Sequence, residues 1–176
     1  MGWNIHNMDV KTASLNGKIE EDVYIEHPKG FETFDHVSHV SWLKRALYGL
    51  RQAPRAWYTK IDSYFTKLGF TKSGADANLY HIVVEGKLFI IVLYVDNLIL
   101  TGDEKLVTPC KEGLAKEFTM KDLGLTHYFL GMEVWQGDGE LFVSQGKYAN
   151  EIFQRFDMDK WKAMETPLAG FLAWVH

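Results

Sequence analysis

The most regular pattern along the chain is a pair of apolar runs separated by two polar residues. Residues 88–95 read LFIIVLYV and residues 98–101 read LILT, with Asp96 and Asn97 between them. Runs rich in β-branched and aromatic residues are typical of buried strands. A further run at 79–84 precedes them across a glycine-containing turn. The pattern therefore predicts three adjacent antiparallel strands, with Asp96 and Asn97 at the tip of the second turn.

Similar patterns predict the remaining elements. Further strands are expected at 5–10, 22–26, 128–136 and 141–144. Apolar residues at helical spacing predict three helices, which cover 54–68, 104–118 and a segment after Ser144. Ser144 is expected to cap the last helix, whose apolar stripe is Tyr148, Ile152 and Phe156. Because strands and helices do not alternate regularly, the chain is predicted to have an α+β fold.

The composition is that of one folded domain with room for a small appendage. The chain has 176 residues, of which 47% are hydrophobic and 14% aromatic, and its net charge is −4. A chain of this length buries a real core, and its negative charge argues against a protein that binds polyanions with its whole surface. The single cysteine, Cys110, excludes an internal disulfide framework and a cysteine zinc site.

Several features of the sequence bear on where the protein resides. Asp96 and Asn97 interrupt the longest apolar run, so no run reaches the length that spans a membrane. The first residues lack the charged and apolar regions of a signal peptide, and one cysteine fits a reducing compartment. We therefore expect an intracellular protein, in the cytoplasm or the nucleus, that is neither secreted nor bound to a membrane.

Two carboxylates form the first candidate site. Asp9 and Asp96 each stand where an apolar strand ends. Two carboxylates brought together on adjacent strands stay ionised only with a cation between them, and a pair of divalent ions there can support phosphoryl or nucleotidyl transfer. The alternative is that each aspartate merely occupies a turn, where aspartate is common. Spacing alone favours this alternative.

A basic and aromatic window at 42–60 forms the second candidate. No acidic residue lies between Asp35 and Asp62. The window combines cationic with aromatic side chains, namely Lys44, Arg45, Arg51, Arg55 and Lys60 with Trp42, Tyr48, Trp57 and Tyr58. Cations neutralise phosphates and aromatic rings stack on bases, so this mixture suits a nucleic-acid groove. A solvated helix face above an ordinary buried stripe accounts for it equally well.

Four blocks, in this order, resemble the reverse transcriptase domain of Ty1/copia-type retrotransposon polyproteins. They read MDVKTASLNG at 8–17, ALYGLRQAPRAW at 46–57, YVDN at 94–97 and FLGMEV at 129–134. The resemblance extends over about 8–167 of the chain, and four ordered blocks are far more specific than one short motif. Spacing alone favours the view that Asp9 and Asp96 merely occupy turns, but the resemblance favours a metal site instead.

The resemblance implies a polymerase architecture. The antiparallel sheet and its packed helices correspond to a palm at 1–135, residues 136–168 to the start of a thumb, and the tail at 169–176 stays unassigned. The chain begins just before the first block, so the fingers are expected to be missing. Palm surfaces that fingers normally cover are then expected to be exposed and to favour association.

The resemblance also implies roles for particular residues. Two magnesium ions would be held by Asp9, Asp96 and the backbone carbonyl of Val10. The residues expected near the incoming nucleotide and the template are Ser14, Tyr48, Gly49, Arg51 and Gln52. Gly131 and Met132 would place the primer end. The implied partners are an RNA or DNA primer-template and deoxynucleotides, and the implied reaction is attack of a primer 3′ hydroxyl on the α-phosphate.

Two positions depart from the family pattern. Asn97 stands where the family has a third carboxylate, which removes a negative charge from a site whose affinity depends on charge. Ser14 stands where the family usually has an aromatic residue that excludes a 2′ hydroxyl. We therefore expect an RNA-directed DNA polymerase fragment that is impaired or inactive because of Asn97 and the missing fingers. The alternative is a non-catalytic, element-derived protein that binds nucleic acid through the window at 42–60.

Overall fold

A computed structural model of the chain describes residues 2–28, 30–31, 39–158 and 160–162. The chain forms two compact units, Met1–Thr126 and His127–His176. The predicted tail at 169–176 and the last residues of the predicted thumb segment lie outside the described residues. The division of the chain into palm and thumb at residue 135 stays a prediction.

The first unit contains a six-stranded sheet, a two-stranded sheet and helices. Its strands are β1 (Ile5–Val10), β2 (Tyr24–Ile25), β3 (Ser41–Trp42), β4 (Thr71–Lys72), β5 (Leu79–Val84), β6 (Lys87–Tyr94), β7 (Asn97–Gly102) and β8 (Met120–Leu125). Its helices are α1 (Ala13–Asn16), α2 (Ala53–Lys67) and α3 (Glu104–Phe118). The predicted α+β class is therefore confirmed, and the long helices lie where apolar spacing predicts them.

The larger sheet has the strand order β4-β5-β6-β7-β1-β8, and every neighbouring pair is antiparallel. The predicted hairpins at 79–101 form its centre. One detail of the prediction is wrong: the turn between β6 and β7 consists of Val95 and Asp96 alone. Asn97 already belongs to β7, where it pairs with Tyr94. Asp96 and Asn97 therefore differ in position, one in the turn and one in the sheet.

Helices α2 and α3 cover one face of this sheet. Alternate strand residues point toward the helices, and the buried members include Met8, Val10, Phe89, Ile91, Leu93, Leu98 and Leu100. From α2, the side chains of Trp57, Ile61 and Phe65 enter the same core at helical spacing. Phe118 of α3 meets the Trp57 ring edge-to-face at a centroid distance of 5.3 Å. This alternation sends the side chain of Asp9, between two core residues, to the opposite face.

Helix α3 forms over its predicted range despite a proline in its interior. Asp103 caps it, because its carboxylate accepts a hydrogen bond from the Lys105 amide at 3.0 Å. Pro109 lies inside the helix and donates no backbone bond. The neighbouring Cys110 packs against the core, and burial raises the pKa of its thiol to about 12. The cap and the apolar face thus outweigh the missing hydrogen bond.

Strand β8 lies outside every sequence prediction, yet it forms one edge of the sheet. It pairs with β1, so the strand that carries Asp9 is flanked on both sides. The register between β1 and β8 shifts at Asn7 and Met8, which marks a β-bulge. A bulge breaks the alternation of polar and apolar residues, and this is why the pattern gives no strand signal here.

The second unit contains two hairpins and a helix. Its elements are β9 (Tyr128–Phe129), β10 (Met132–Gly137), β11 (Glu140–Ser144) and α4 (Gly146–Arg155). The prediction of a single strand over 128–136 is wrong, because the chain reverses between β9 and β10. Leu130 and Gly131 form this turn with φ angles of 50° and 81°. A leucine in the left-handed region gives no turn signal in the sequence.

Helix α4 confirms the last predicted helix, but its first turn differs from the prediction. Gln145, not the predicted Ser144, occupies the capping position and forms no side-chain cap bond, although the Ser144 hydroxyl accepts a hydrogen bond from the Gly146 amide at 3.5 Å. The carboxylate of Glu133 on β10 accepts a further hydrogen bond from the Lys147 amide at 3.1 Å. The apolar stripe of Tyr148, Ile152 and Phe156 is exposed. No helix in the described ranges is long and apolar enough to cross a membrane.

Candidate active site

The two candidate aspartates lie on neighbouring parts of the sheet, one at the end of β1 and the other in the turn before β7. Asp9 lies directly opposite Asn97 in the ladder between β1 and β7. The next residue, Val10, donates a backbone hydrogen bond to the carbonyl oxygen of Asp96 at 2.8 Å. Both aspartates are half-buried. The fold therefore brings together a strand end with Asp9 and a hairpin turn with Asp96, although 87 positions (96 − 9 = 87) separate them in the sequence.

The turn that carries Asp96 is strained and is held by a helix. Val95 has a φ angle of 54°, a region that β-branched residues rarely occupy. Its carbonyl oxygen accepts a hydrogen bond from the indole nitrogen of Trp57 at 2.6 Å. Trp57 is only 4% exposed, so the interpretation of this ring as a base-stacking residue is wrong. Its role is to fix the turn from the core side, and strain of this kind concentrates at functional sites.

Asn97 interacts with Asp96 in a way that a carboxylate cannot. Its amide nitrogen donates a hydrogen bond to the Asp96 carboxylate at 3.0 Å. An aspartate at this position would instead place a second negative charge beside the first, which only a cation would relieve. Within the described ranges, no group of three His, Cys, Asp or Glu side chains could hold a metal ion.

The donor set nevertheless fits magnesium. Mg²⁺ prefers hard oxygen ligands and is usually bound by one or two carboxylates together with substrate phosphates. Asp9 and Asp96 supply two carboxylates, and Asn97, the ladder partner of Asp9, carries a neutral oxygen donor in its amide. Val10 contributes a fully buried side chain that anchors the strand end. The residues therefore suit a cation that is completed by a phosphate ligand.

An apolar cavity of about 530 Å³ opens beside the turn. Three residues predicted to lie near the nucleotide line it together, namely Ser14, Tyr48 and Gly49. Val95 and Trp57 also line it, so the cavity adjoins the residue that precedes Asp96. The ring of Tyr48 is 91% exposed, which leaves its face open to stacking.

The structure separates the remaining residues of the same block. Arg51 is exposed and lies outside the lining of the apolar cavity. Gln52 lines a different cavity of about 580 Å³, together with Arg55 and Lys60. Lys60 forms an ion pair with Glu117 at 3.4 Å. The block at 46–57 therefore divides between two cavities. Tyr48, Gly49 and Trp57 line the cavity beside the turn, whereas Gln52 and Arg55 line the other.

Gly131 and Met132 belong to the second unit. Gly131 lies in the turn between β9 and β10, and Met132 is the first residue of β10. Both are half-buried or exposed at the end of a short hairpin. Their predicted contact with a primer end stays a prediction.

Comparison with known proteins identifies the family. The model described as reverse transcriptase (RNA-dependent DNA polymerase) matches residues 1–170. The chain belongs to this family. It is 40% identical over 96% of its length to a retrovirus-related Pol polyprotein from a tobacco (Nicotiana tabacum) transposon, TNT 1-94, of which it covers 13%. The resemblance to copia-type elements is thus confirmed.

Other relatives agree with this assignment. The chain is 38% identical to the Pol polyprotein of the Arabidopsis thaliana transposon RE1, of which it covers 12%. It is 32% identical to a putative transposon Ty5-1 protein of Saccharomyces cerevisiae, of which it covers 54%. The chain thus spans about an eighth of the polyproteins and about half of the shorter relative. No solved structure gives a significant match.

Proposed function

We propose that the chain carries the catalytic centre of an RNA-directed DNA polymerase and that Asn97 lowers its rate severely. The observation that carries this proposal is the register at the strand end, where Asp9 lies opposite Asn97 and Val10 binds the backbone of Asp96. Membership of the reverse transcriptase family supports the same chemistry.

In this proposal the protein residues position the reactants. Asp9 and Asp96 would hold two magnesium ions, which would supply Lewis-acid activation of the primer hydroxyl and charge stabilisation for the departing pyrophosphate. Trp57 keeps the turn in the geometry that the carboxylates need. Ser14, Tyr48 and Gly49 form the wall beside the incoming deoxynucleotide. Because Ser14 is small, we expect weak exclusion of ribonucleotides.

The penalty from Asn97 follows from charge. Two divalent ions bring four positive charges to a site with two carboxylates, and the amide at 97 adds no countercharge. The amide also donates to Asp96, so this carboxylate loses part of its capacity to bind a cation. We expect weak binding of the ions and a large loss of rate.

Primer extension on an RNA template with Mg²⁺ or Mn²⁺ tests the proposal. We expect no extension by the unmodified chain and measurable extension by Asn97→Asp, which Asp9→Ala in the same background abolishes. Extension by the unmodified chain that Asp9→Ala removes would contradict the proposed impairment. An Asn97→Asp variant that extends no primer would contradict the view that Asn97 limits activity.

A second candidate function is binding of single-stranded nucleic acid without catalysis. It is favoured by the exposure of Lys44, Arg45, Arg51 and Arg55, and of the Tyr48 ring in the same window of the sequence. We expect salt-sensitive affinity that falls in the double variant Arg51→Ala, Arg55→Ala. The matched control removes two exposed charges elsewhere, at Lys67 and Lys105. Equal losses in both double variants in a filter assay would remove this candidate.

A further inference from the structure

A lysine lies opposite the first carboxylate on the unpredicted strand β8. Lys121 is the direct partner of Asp9 in the ladder between β1 and β8. Its two neighbours point the other way: Met120 packs against the core, and Asp122 forms an ion pair with Lys111 of α3 at 2.6 Å. Because strand side chains alternate, Lys121 emerges on the same face as Asp9.

The bulge in β8 determines which charge faces Asp9. Asn7 pairs with Gly124, whereas the next residue, Met8, pairs with Asp122, so Leu123 is the extra residue. If the register of His6 and Asn7 continued past Leu123 without a bulge, Asp122 rather than Lys121 would lie opposite Asp9. Bulges next to functional sites commonly redirect side chains in this way.

Local interactions stabilise this register. Gly124 has a φ angle of 75°, which glycine adopts without strain. Its amide donates a hydrogen bond to the Asp122 carboxylate at 2.9 Å, and that carboxylate also binds Lys111. The bulge is therefore tied both to its own strand and to helix α3, and the position of Lys121 follows from it.

The strand end thus carries a row of three side chains across neighbouring strands, in the order Asn97, Asp9, Lys121. Opposite charges at directly opposed positions attract each other, and a cation that approaches Asp9 is repelled by a lysine in the same row. We propose that Lys121 is a positioning residue, a built-in counter-ion of Asp9 that lowers the affinity of this carboxylate for divalent cations.

This inference rests on the proposed function, because it presupposes a cation site at Asp9. Its consequence is that the free protein, with Asn97 and Lys121 on either side of Asp9, holds cations weakly. Binding then depends on a ligand that adds negative charge, such as the phosphates of a nucleotide. The inference concerns the protein's own charges and can be tested without polymerase activity.

Titration with Mn²⁺, followed by the electron paramagnetic resonance signal of the free ion, tests the inference. Lys121→Met should tighten binding by about three- to tenfold, since it removes one charge beside a divalent ion. Lys121→Arg keeps the charge and should bind as the unmodified chain does. Lys116→Met removes a similarly exposed lysine from α3 and should also leave binding unchanged.

The same titrations in the Asn97→Asp background keep the comparison measurable if the unmodified chain binds weakly. In both backgrounds Asp9→Asn should abolish the difference between lysine and methionine at 121. If Asp9→Asn lowers the affinity for Mn²⁺ but Lys121→Met and Lys116→Met bind Mn²⁺ equally well, the counter-ion role is wrong, although the cation site at Asp9 is supported. If no binding depends on Asp9 in either background, the site itself is wrong, and this inference with it.

Discussion

The two faces of the six-stranded sheet differ in what their side chains contact. On one face, residues such as Met8, Leu98 and Leu100 are fully buried beneath α2 and α3. On the other face, Asp9 and Asn97 are half-buried and lie in one row across the strands. Consecutive residues of one strand thus belong in turn to the packed core and to the candidate site, because the side-chain period of a strand is two.

The core side of the sheet fixes the position of the candidate site. A slip of one residue would move Asp9 into the core and Met8 to the surface, so the apolar face maintains the register of the carboxylate. Trp57 contributes from the same side, through its hydrogen bond to the carbonyl of Val95. We therefore expect substitutions on the two faces to have separable effects.

The largest expected effect concerns two neighbouring residues of β7. Leu98→Ala, on the helix-covered face, should lower the free energy of unfolding by about 2–5 kcal/mol because it leaves a cavity in a packed core. Asn97→Ala, on the other face, should change it by less than about 1 kcal/mol. Urea denaturation measures both. Losses of equal size would contradict the separation between the faces.

An intermediate loss of stability is expected at Trp57, which packs in the core and binds the turn that carries Asp96. Trp57→Phe keeps most of the apolar contact but leaves the Val95 carbonyl without its indole partner, which should cost about 1–3 kcal/mol. It should also weaken binding of Mn²⁺, because the strained turn loses its support. Trp42→Phe is the matched control, since Trp42 is 55% exposed. If both variants bind Mn²⁺ as the unmodified chain does, the turn does not depend on the core side.

The smallest expected effect depends on pH and concerns the edge of the helix-covered face. Asp62 of α2 accepts hydrogen bonds from Tyr80 at 2.7 Å and from Lys72. Burial opposes ionisation of Asp62, but these hydrogen bonds and the charge of Lys72 hold its pKa below the ordinary value of 3.8. Such a group stabilises the folded state above the unfolded pKa, and this contribution is lost as pH falls through the lower folded value.

Lys72→Met should therefore reduce stability at neutral pH, and the difference from the unmodified chain should shrink at pH values below the ordinary carboxyl pKa. The measurement is urea denaturation of both proteins at pH 7 and near pH 3. The control variant Lys67→Met removes an exposed lysine at the end of α2, the helix that carries Asp62. Its stability difference from the unmodified chain should not depend on pH in this way. A difference that grows on acidification would contradict the assignment.

Much of the sheet and its helices could be predicted because their apolar patterns are strong. The strand Ile5–Val10 and the helix Glu104–Phe118 have the predicted bounds. Their patterns reflect one buried face, which periodicity reports directly. The meeting of Asp9 with Asp96 needed the family resemblance, because spacing along the chain does not reveal which strands are neighbours.

Other features could not be predicted from the pattern. Strand β8 carries a bulge at Leu123, and its side chains are mostly exposed. Its sequence therefore shows neither the two-residue apolar period of a strand nor the 3.6-residue period of a helix. The turns at Val95 and Leu130 use apolar residues with positive φ angles, where sequence rules expect glycine or asparagine. These features depend on tertiary contacts that a local pattern does not contain.

In the proposed function, Asp9 and Asp96 form one cation site that Asn97 weakens. Calorimetric titration with Mn²⁺ of the unmodified chain, Asn97→Asp and the control Gln154→Glu tests this claim. Asn97→Asp should bind about tenfold more tightly or better, since it adds a charge at the site, whereas Gln154→Glu adds the same charge on exposed α4 and should change nothing. Equal affinities for Asn97→Asp and the unmodified chain would contradict the claim.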